Sequence, residues 1–267
     1  MALIDINVYS EVLGEHRPIR VILPTPTSSL YPQEIPYYQG KKYQTLYLLH
    51  GATGDQTVWT RYSKIEWYAQ KNQLAVVMAA ANNSSYVNMK HGLNYYTFFT
   101  EELPKIVQNI LPLSKKREDN FIAGISMGGY GTWRIGLGCP EKFAAMAILS
   151  SSILRDEMNR VSRTGAAFPK RQENTFGSEE ELMNSDNNTA RLLRKRVEEG
   201  AELPAIYMAC GTEDFLYSSN LHTKQLLEEL KVPFTYSEGP GVHDWTFWDE
   251  EIRKVVDWLP LKHNLVD

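Results

Sequence analysis

Short runs of apolar residues recur along the chain, and each has about the length of one β-strand. The runs show no regular alternation of apolar and polar positions, which is typical of strands buried on both faces of a parallel sheet. A further strand is expected in the more polar segment 233–238. The five apolar runs lie at 46–49, 74–78, 121–123, 144–149 and 205–209.

Residues with helical spacing separate several of these runs. Apolar side chains recur at intervals of three and four within 99–110 and 248–259, and four leucines within 221–230 indicate another helix. Pro104 marks either a kink or the start of the first of these helices. Because strands and helices alternate along the chain, we predict an α/β fold built on a doubly wound, mostly parallel sheet.

Two segments depart from this alternation. Residues 4–11 and 17–24 are expected to form an N-terminal antiparallel hairpin. Residues 151–204 are polar, with one helix expected near 190–199. This segment is either a solvated excursion or a cap that shapes a pocket. Ligands of such sheets bind outside the carboxyl ends of the strands, so we favour a cap insertion within a single domain of residues 1–267.

Composition and charge exclude several classes of function. The 267-residue chain has 43% hydrophobic and 22% charged residues, which is ordinary for a globular enzyme. Its net charge of −4 gives no reason to expect nucleic acid or an anionic membrane as a partner. No basic N-terminal segment or long apolar run indicates a signal peptide or a membrane span. The sequence leaves open whether copies of the chain form a homo-oligomer.

The cysteines and histidines give no sign of a metal or redox site. Cys139 and Cys210 lie far apart, without metal-ligand or C-x-x-C spacing, which favours a reduced, cytoplasmic context. No histidine and carboxylate cluster has the spacing of a zinc protease. We therefore expect neither a metal nor another cofactor.

The segment FIAGISMGGYGTW, residues 121–133, carries the main chemical signal. A predicted strand leads into Gly124-x-Ser126-x-Gly128, and a predicted helix follows. This is the pattern of a nucleophile elbow, in which a sharp turn projects a serine hydroxyl and requires small residues two positions before and after it. We identify Ser126 as the candidate nucleophile; an idle serine in a glycine-rich turn is the alternative.

A serine nucleophile needs a base and an acid, and the chain order in such folds is serine, then acid, then histidine. Among the later histidines, His222 falls on a predicted helix and His263 lies in the tail. His243 lies in a loop after the segment 233–238, at the sheet edge where the serine is expected. His243 is therefore the predicted general base.

The acid is expected in the loop after the run 205–209, which reads CGTEDFLY. Asp214 is the predicted acid, and Glu213 is the neighbour that could replace it. The carboxylate would hold the imidazole in one tautomer and stabilise its protonated form.

An acyl-transfer site also needs N–H donors aimed at the oxyanion. The N–H of Met127, directly after the nucleophile, is one expected donor. The second should come from the loop after LLHG, with the N–H of Ala52 preferred and Thr53 as the alternative. We expect the His50 ring to brace this loop.

Four segments together resemble the esterase D and tributyrin-esterase-like branch of the α/β-hydrolases. The resemblance spans nearly the whole chain and implies the α/β-hydrolase fold, Ser126, Asp214 and His243 as a triad, and ester hydrolysis without a cofactor. Val242 departs from the pattern, since relatives often carry glycine there. The segments are LLHGATGD, FIAGISMGGYGTW, CGTEDFLY and GVHDW.

The resemblance leads us to expect a serine esterase that acts on small-molecule esters. The expected substrates are short-chain acyl esters, or acetyl and hydroxycinnamoyl groups on carbohydrate, with an S-formylglutathione hydrolase or an acyltransferase as alternatives. A binding module that kept the fold and lost the chemistry is the non-enzymatic reading. Several side chains in or beside the edge loops either bind substrate or belong to the core: Thr53, Trp59, Tyr86 and Trp245.

Overall fold

The computed structural model describes residues 1–25, 40–153 and 167–267, without the side chains of 167–169. Their central feature is an eight-stranded sheet with the strand order β1-β2-β4-β3-β5-β6-β7-β8. The pairs β1/β2 and β2/β4 are antiparallel, and all the others are parallel. The strands are β1 Ala2–Ser10, β2 Glu15–Leu23, β3 Thr45–Leu49, β4 Ala75–Ala79, β5 Asn120–Ile125, β6 Ala145–Leu149, β7 Ala205–Gly211 and β8 Phe234–Gly239.

The N-terminal hairpin predicted from the sequence is present, with β1 paired to β2 from Ala2↔Leu23 to Ser10↔Glu15. Exposed and partly buried residues alternate along β1, as expected for a strand at the edge of a sheet with one face toward the protein. The strands β3 to β7 are buried almost throughout, which explains their unbroken apolar runs.

Helices cover both faces of the sheet, so the fold is doubly wound. Buried side chains of α1, α2 and α10 form one apolar layer, and those of α4, α5, α8 and α9 form the other. The helices are α1 Val58–Tyr62, α2 Ile65–Lys71, α3 Tyr95–Thr97, α4 Leu103–Ile110, α5 Met127–Gly138, α6 Ala167–Phe176, α7 Glu179–Met183, α8 Thr189–Glu198, α9 Tyr217–Glu229 and α10 Trp245–Trp258.

Of the two roles predicted for Pro104, a kink or a helix start, the structure shows the helix start, directly after a π-helical turn. Residues Phe98–Glu102 form this turn between α3 and α4, and Pro104 lies in the first turn of α4. Proline has no N–H to donate, so a helix tolerates it only near its start. The predicted apolar stripe therefore runs through two helical segments rather than one regular helix.

The helix predicted near 190–199 is α8, which packs against the helix that follows Ser126. The Arg196 guanidinium donates to the carbonyls of Leu137 at 2.8 Å and Gly138 at 3.1 Å. The Thr189 hydroxyl donates to the Ile153 carbonyl at 2.9 Å. Residues 154–166 of the expected cap lie outside the described residues, and its role as a cap stays a prediction.

Candidate active site

Ser126 lies in the sharp turn between β5 and α5, at the carboxyl edge of the sheet. Its backbone has φ of 52° and ψ of −116°, which few non-glycine residues adopt. The Ser126 N–H donates to the Leu149 carbonyl of the neighbouring strand at 2.9 Å, which ties the strained turn to the sheet. The side chain stands at the amino terminus of α5, where the helix dipole favours negative charge.

Close backbone contacts explain the glycines on either side of this serine. A Cβ at Gly124 would lie 2.4 Å from the backbone of Gly128, and a Cβ at Gly128 would lie 2.6 Å from the carbonyls of Leu49 and His50. Any side chain at these positions would push the β3 loop and α5 apart. The G-x-S-x-G pattern is therefore a packing requirement of the turn.

Three predicted side chains from three separate loops come together at this edge. Nε2 of His243 lies 3.0 Å from Oγ of Ser126. Nδ1 of the same ring lies 2.8 Å and 3.0 Å from the two carboxylate oxygens of Asp214. The chain positions of these residues are 117 and 29 apart, so only the fold brings them into contact.

The hydrogen bonds determine which ring nitrogen of His243 carries the proton. An ionised carboxylate can only accept, so Nδ1 of His243 must donate to Asp214. Nε2 is then unprotonated in the neutral ring and accepts the hydroxyl proton of Ser126. This is the tautomer that a general base for a serine nucleophile requires.

Asp214 is held in its ionised form although its side chain is fully buried. Burial alone would raise the pKa of Asp214, but hydrogen bonding and electrostatic interaction with the His243 ring, together with hydrogen bonds from the Leu216 amide and the Ser150 hydroxyl, lower it below its ordinary value. The Leu216 N–H donates to the carboxylate at 2.8 Å. The carboxylate can therefore stabilise an imidazolium without taking its proton.

Ser150 and Trp248 form a supporting layer beside the acid and the base, and of these two residues the sequence reasoning missed Ser150. Indole Nε1 of Trp248 donates to Oγ of Ser150 at 2.9 Å, and the indole meets the His243 ring edge-on at 4.9 Å between ring centres. Ser150 is fully buried directly after β6. The polar triplet at 150–152, at the carboxyl end of a buried strand, was the available signal.

Glu213, the alternative acid, does not contact the imidazole ring in this geometry. Its carboxylate accepts from the Gly241 N–H at 2.5 Å, and its own N–H donates to the Gly241 carbonyl at 3.1 Å. The bond from Gly241 lowers the pKa of Glu213. Glu213 thereby joins the acid-bearing loop to the histidine-bearing loop.

The loop after β3 lies directly beside the serine. A Cβ at Gly51 would be 3.5 Å from Cβ of Ser126, and the exposed residue Ala52 comes next in the chain. The Ala52 N–H has no acceptor among the described residues. An oxyanion donor must be unpaired in this way before substrate binds. The Thr53 N–H, the alternative donor, already donates to the Asn83 side chain at 2.9 Å.

The other N–H group predicted from the sequence and the ring expected to brace this loop also lie near the turn. Met127 is the first residue of α5, so its N–H is outside the intrahelical hydrogen-bond ladder. The His50 ring is buried, with Nδ1 at 2.7 Å from the Gly51 carbonyl and Nε2 accepting from the Ala81 N–H at 2.9 Å. The His50 ring thus joins the β3 loop to the segment after β4.

Two of the expected substrate-binding aromatics are core residues instead. Trp59 is 1% exposed, and its indole donates to the Leu49 carbonyl at 3.1 Å. Tyr86 is fully buried, and its hydroxyl donates to the His50 carbonyl at 2.9 Å. We correct the expectation that these two rings bind substrate, because neither presents a surface to a ligand. Each instead donates a hydrogen bond to a backbone carbonyl at the end of β3 or directly after it.

The remaining expected substrate-binding residues keep some exposure. Trp245 is half-buried and packs edge-on against Trp59 and Trp248, with ring centres 5.1 Å and 5.3 Å apart. Thr53 is exposed in the β3 loop. Within the described part of the chain, no group of three or more His, Cys, Asp or Glu side chains could hold a metal ion. No helix there is long and apolar enough to cross a membrane.

A hydroxyl activated by a base, a buried carboxylate and two backbone donors can together carry out acyl transfer. The hydroxyl can attack a carbonyl carbon, and backbone N–H groups close to it can stabilise the negative charge that develops on the carbonyl oxygen. The same imidazole can then return the proton to the leaving group. Such a site acts on esters, thioesters or related acyl compounds.

Comparison with known proteins agrees with this chemistry. The model of the Esterase family, described as "Putative esterase", matches residues 10–259. The acetyl esterase of Caldicellulosiruptor saccharolyticus is 31% identical over 264 residues, which cover 97% of this chain and 98% of that protein.

Two solved structures from Staphylococcus aureus share the fold closely. FphF, a fluorophosphonate-binding serine hydrolase, and FrmB, an S-formylglutathione hydrolase, superpose with TM-scores of 0.86 and 0.84. Each is 36% identical and covers 97% of this chain and 98% of its own. The chain therefore belongs to the Esterase family, as an esterase D-like α/β-hydrolase, and is a carboxylic ester hydrolase.

Proposed function

We propose that this protein is a serine carboxylesterase that works through an acyl-enzyme intermediate. The observation that carries the proposal is the 3.0 Å contact between Oγ of Ser126 and Nε2 of His243, with Asp214 at 2.8 Å from the other ring nitrogen. This geometry supports proton transfer from the hydroxyl to the ring as the hydroxyl attacks.

In the first half-reaction, Oγ of Ser126 attacks the ester carbonyl carbon while its proton passes to Nε2 of His243. The N–H groups of Ala52 and Met127 stabilise the resulting oxyanion. When the tetrahedral intermediate collapses, the bond to the alcohol oxygen breaks and His243 gives that oxygen the proton. The alcohol leaves, and the acyl group stays on the serine.

In the second half-reaction, a water molecule takes the position that the alcohol has left. His243 accepts a proton from the water as its oxygen attacks the acyl carbonyl. Collapse of this second intermediate returns the proton to Oγ of Ser126 and releases the acid. No cofactor is needed, because the histidine acts in turn as base and acid in both halves.

The proposed substrates are short-chain acyl esters, including acetyl and hydroxycinnamoyl esters of carbohydrates. The similarity to an acetyl esterase at 31% identity favours the acetyl group. The similarity to a protein described as an S-formylglutathione hydrolase, at 36% identity, makes thioester hydrolysis the second candidate. Rates of hydrolysis of S-formylglutathione and of alkyl and feruloyl esters, measured side by side, distinguish a thioester hydrolase from an ester hydrolase.

The test of the mechanism is Ser126→Ala. The substitution should lower kcat on p-nitrophenyl acetate by at least about 10⁴-fold, because the three side chains act as a unit. It should also abolish covalent labelling by a fluorophosphonate probe, measured by intact mass. Ser218→Ala, an exposed serine on α9, is the matched control and should keep both. Substantial activity or labelling in Ser126→Ala would contradict the proposal.

A further inference from the structure

Phe215 is the feature of the site that the proposed mechanism does not use. It follows Asp214 in the chain, and its ring lies over the His243 ring with centres 4.4 Å apart and planes 37° apart. Trp248 meets the same imidazole edge-on, but Trp248 is 7% exposed while Phe215 is 52% exposed. Phe215 is therefore the aromatic neighbour of the base that faces solvent.

A second apolar side chain is exposed next to the base. Val242 directly precedes His243 and is 48% exposed. Single exposed apolar residues are common on protein surfaces and need no explanation by themselves. Here, however, the residue after the acid and the residue before the base both expose apolar side chains.

The reaction decides which part of a substrate this surface would meet. Nε2 of His243 must come within hydrogen-bond reach of the leaving oxygen in order to protonate it. The alcohol part of the ester therefore lies beside the imidazole ring. The carbonyl oxygen points instead to the donors at Ala52 and Met127. Phe215, whose ring packs at a tilt against the imidazole, is thus placed to contact the leaving group.

The charges of the two loops restrict the leaving group further. Residues 210–217 and 239–245 contain Glu213, Asp214 and Asp244 but no lysine or arginine. Asp214 is buried against the histidine, whereas Glu213 is exposed. A surface that carries negative charge without a matching cation repels an anionic ligand. These loops thus favour an uncharged leaving group.

We propose that Phe215, together with Val242, forms a leaving-group subsite that selects uncharged alcohols with an apolar face. Alkyl chains, aryl rings and the C–H face of a sugar ring share this chemistry, since each can pack flat against an exposed phenyl ring. The glutathione released from a glutathione thioester lacks this apolar face and carries negatively charged carboxylates. This inference rests on the proposed serine-esterase function and names the substrate class for it.

The test varies the alcohol while the acyl group stays constant. Ethyl and hexyl acetate have alkanol leaving groups of similar intrinsic reactivity, so their ratio of kcat/KM reports contact with the alcohol chain. The wild-type enzyme should prefer hexyl acetate by about tenfold, and Phe215→Ala should remove most of that preference. Phe215→Leu, which keeps an apolar side chain, should retain part of it.

Two controls separate a subsite from general damage. The ratio of kcat/KM for ethyl butanoate to ethyl acetate reports the acyl side, and Phe215→Ala should leave this ratio within about twofold. Ile110→Ala is the matched control, because it removes an apolar side chain of similar exposure, 56%. Ile110 ends α4, and the chain then runs to the amino end of β5, at the edge of the sheet opposite the site. Ile110→Ala should leave both ratios unchanged.

A separate experiment tests the charge argument by comparing thioesters that share one acyl group and differ in the charge of the leaving thiol. The wild-type enzyme should hydrolyse S-hexyl thioacetate with a higher kcat/KM than S-acetylglutathione. The opposite order, or an unchanged hexyl-to-ethyl ratio in Phe215→Ala, would overturn the inference while ester hydrolysis itself stands. A wild-type enzyme that hydrolyses none of these compounds would instead contradict the proposed function, and the inference with it.

Discussion

At the scale of single residues, the environment of Asp214 controls the protonation of the site. Its buried carboxylate accepts from Nδ1 of His243 and from the Leu216 amide. Ser150 adds a hydroxyl that is itself oriented by Trp248, because Oγ of Ser150 accepts from the indole. These contacts leave the proposed base one proton arrangement, with Nε2 open to Ser126.

Replacement of the carboxylate by an amide tests this arrangement. Asp214→Asn should lower kcat by about 10⁴-fold while the protein stays folded, because an amide N–H aimed at Nδ1 would leave the proton of the neutral ring on Nε2. Rates on p-nitrophenyl acetate and far-UV circular dichroism measure the two effects. A kcat within tenfold of wild type would show that another group orients His243.

The same carboxylate makes stability depend on pH. The folded-state pKa of Asp214 is below its ordinary value, so its ionised form favours the folded state. This contribution is fully present above about pH 4, the ordinary range of an aspartate, and is lost as pH falls through the lowered pKa. The difference in unfolding free energy between wild type and Asp214→Asn should therefore shrink below about pH 4 in urea titrations. A constant difference from pH 3 to 7 would argue against this.

At the scale of elements, the loops after β7 and β8 are fastened to each other. Glu213 bonds both backbone groups of Gly241, two residues before His243, and the Thr212 N–H donates to the Gly239 carbonyl at 2.9 Å. The Glu213 carboxylate is exposed. Its contribution is therefore to hold Gly241 in position by hydrogen bonds, and not to bury surface. We therefore regard Glu213 as a positioning residue for the histidine loop.

This role predicts a selective loss of catalysis. Glu213→Ala should lower kcat by about tenfold with little change in KM, since misplacement of a catalytic group acts on the transition state more than on binding. Glu213→Gln should recover most of the rate, because an amide oxygen can still accept from Gly241. Glu250→Ala, an exposed glutamate on α10, is the control. Equal losses in the alanine and glutamine variants would exclude the proposed contact.

At the scale of the whole molecule, the helices stabilise the sheet from both faces while the site occupies one edge. Ile252 of α10 is fully buried in the layer that also contains Trp248. The same helix is capped by Asp244, whose carboxylate accepts from the N–H groups of Thr246 and Phe247. The position of the histidine loop thus depends on how α10 packs against the sheet.

The two isoleucines at opposite extremes of exposure give a matched test of this packing. Ile252→Ala should lower stability by about 3 kcal/mol, since it removes a fully buried side chain. For a chain of this size the melting temperature should fall by about 6–12 °C. Ile110→Ala, at a position 56% exposed, should change it by less than about 2 °C. Calorimetry of both variants measures the difference, and equal shifts would contradict the assigned core.

The sequence predicted most strands because a strand buried on both faces is recognisable as an unbroken run of apolar residues. The apolar runs at 46–49 and 205–209 fall within β3 and β7. The π-helical turn Phe98–Glu102 was not foreseen, because helical spacing does not distinguish a wider turn from a regular one. Trp59 and Tyr86 were misjudged for a related reason, since a position in an edge loop does not tell which way a ring points.

By itself, the sequence determined the alternation of strands and helices, the tight turn around Ser126, and the short set of residues able to act with it. These follow from local chemistry: apolar periodicity, glycines that allow close backbone contact, and the order of serine, acid and histidine. Only the tertiary structure decided that Glu213 bonds a backbone loop while Asp214 meets the imidazole, and that Phe215 lies over His243. Neighbouring carboxylates and rings look alike in a sequence, and their contacts depend on loops brought together from residues 29 and 117 positions apart.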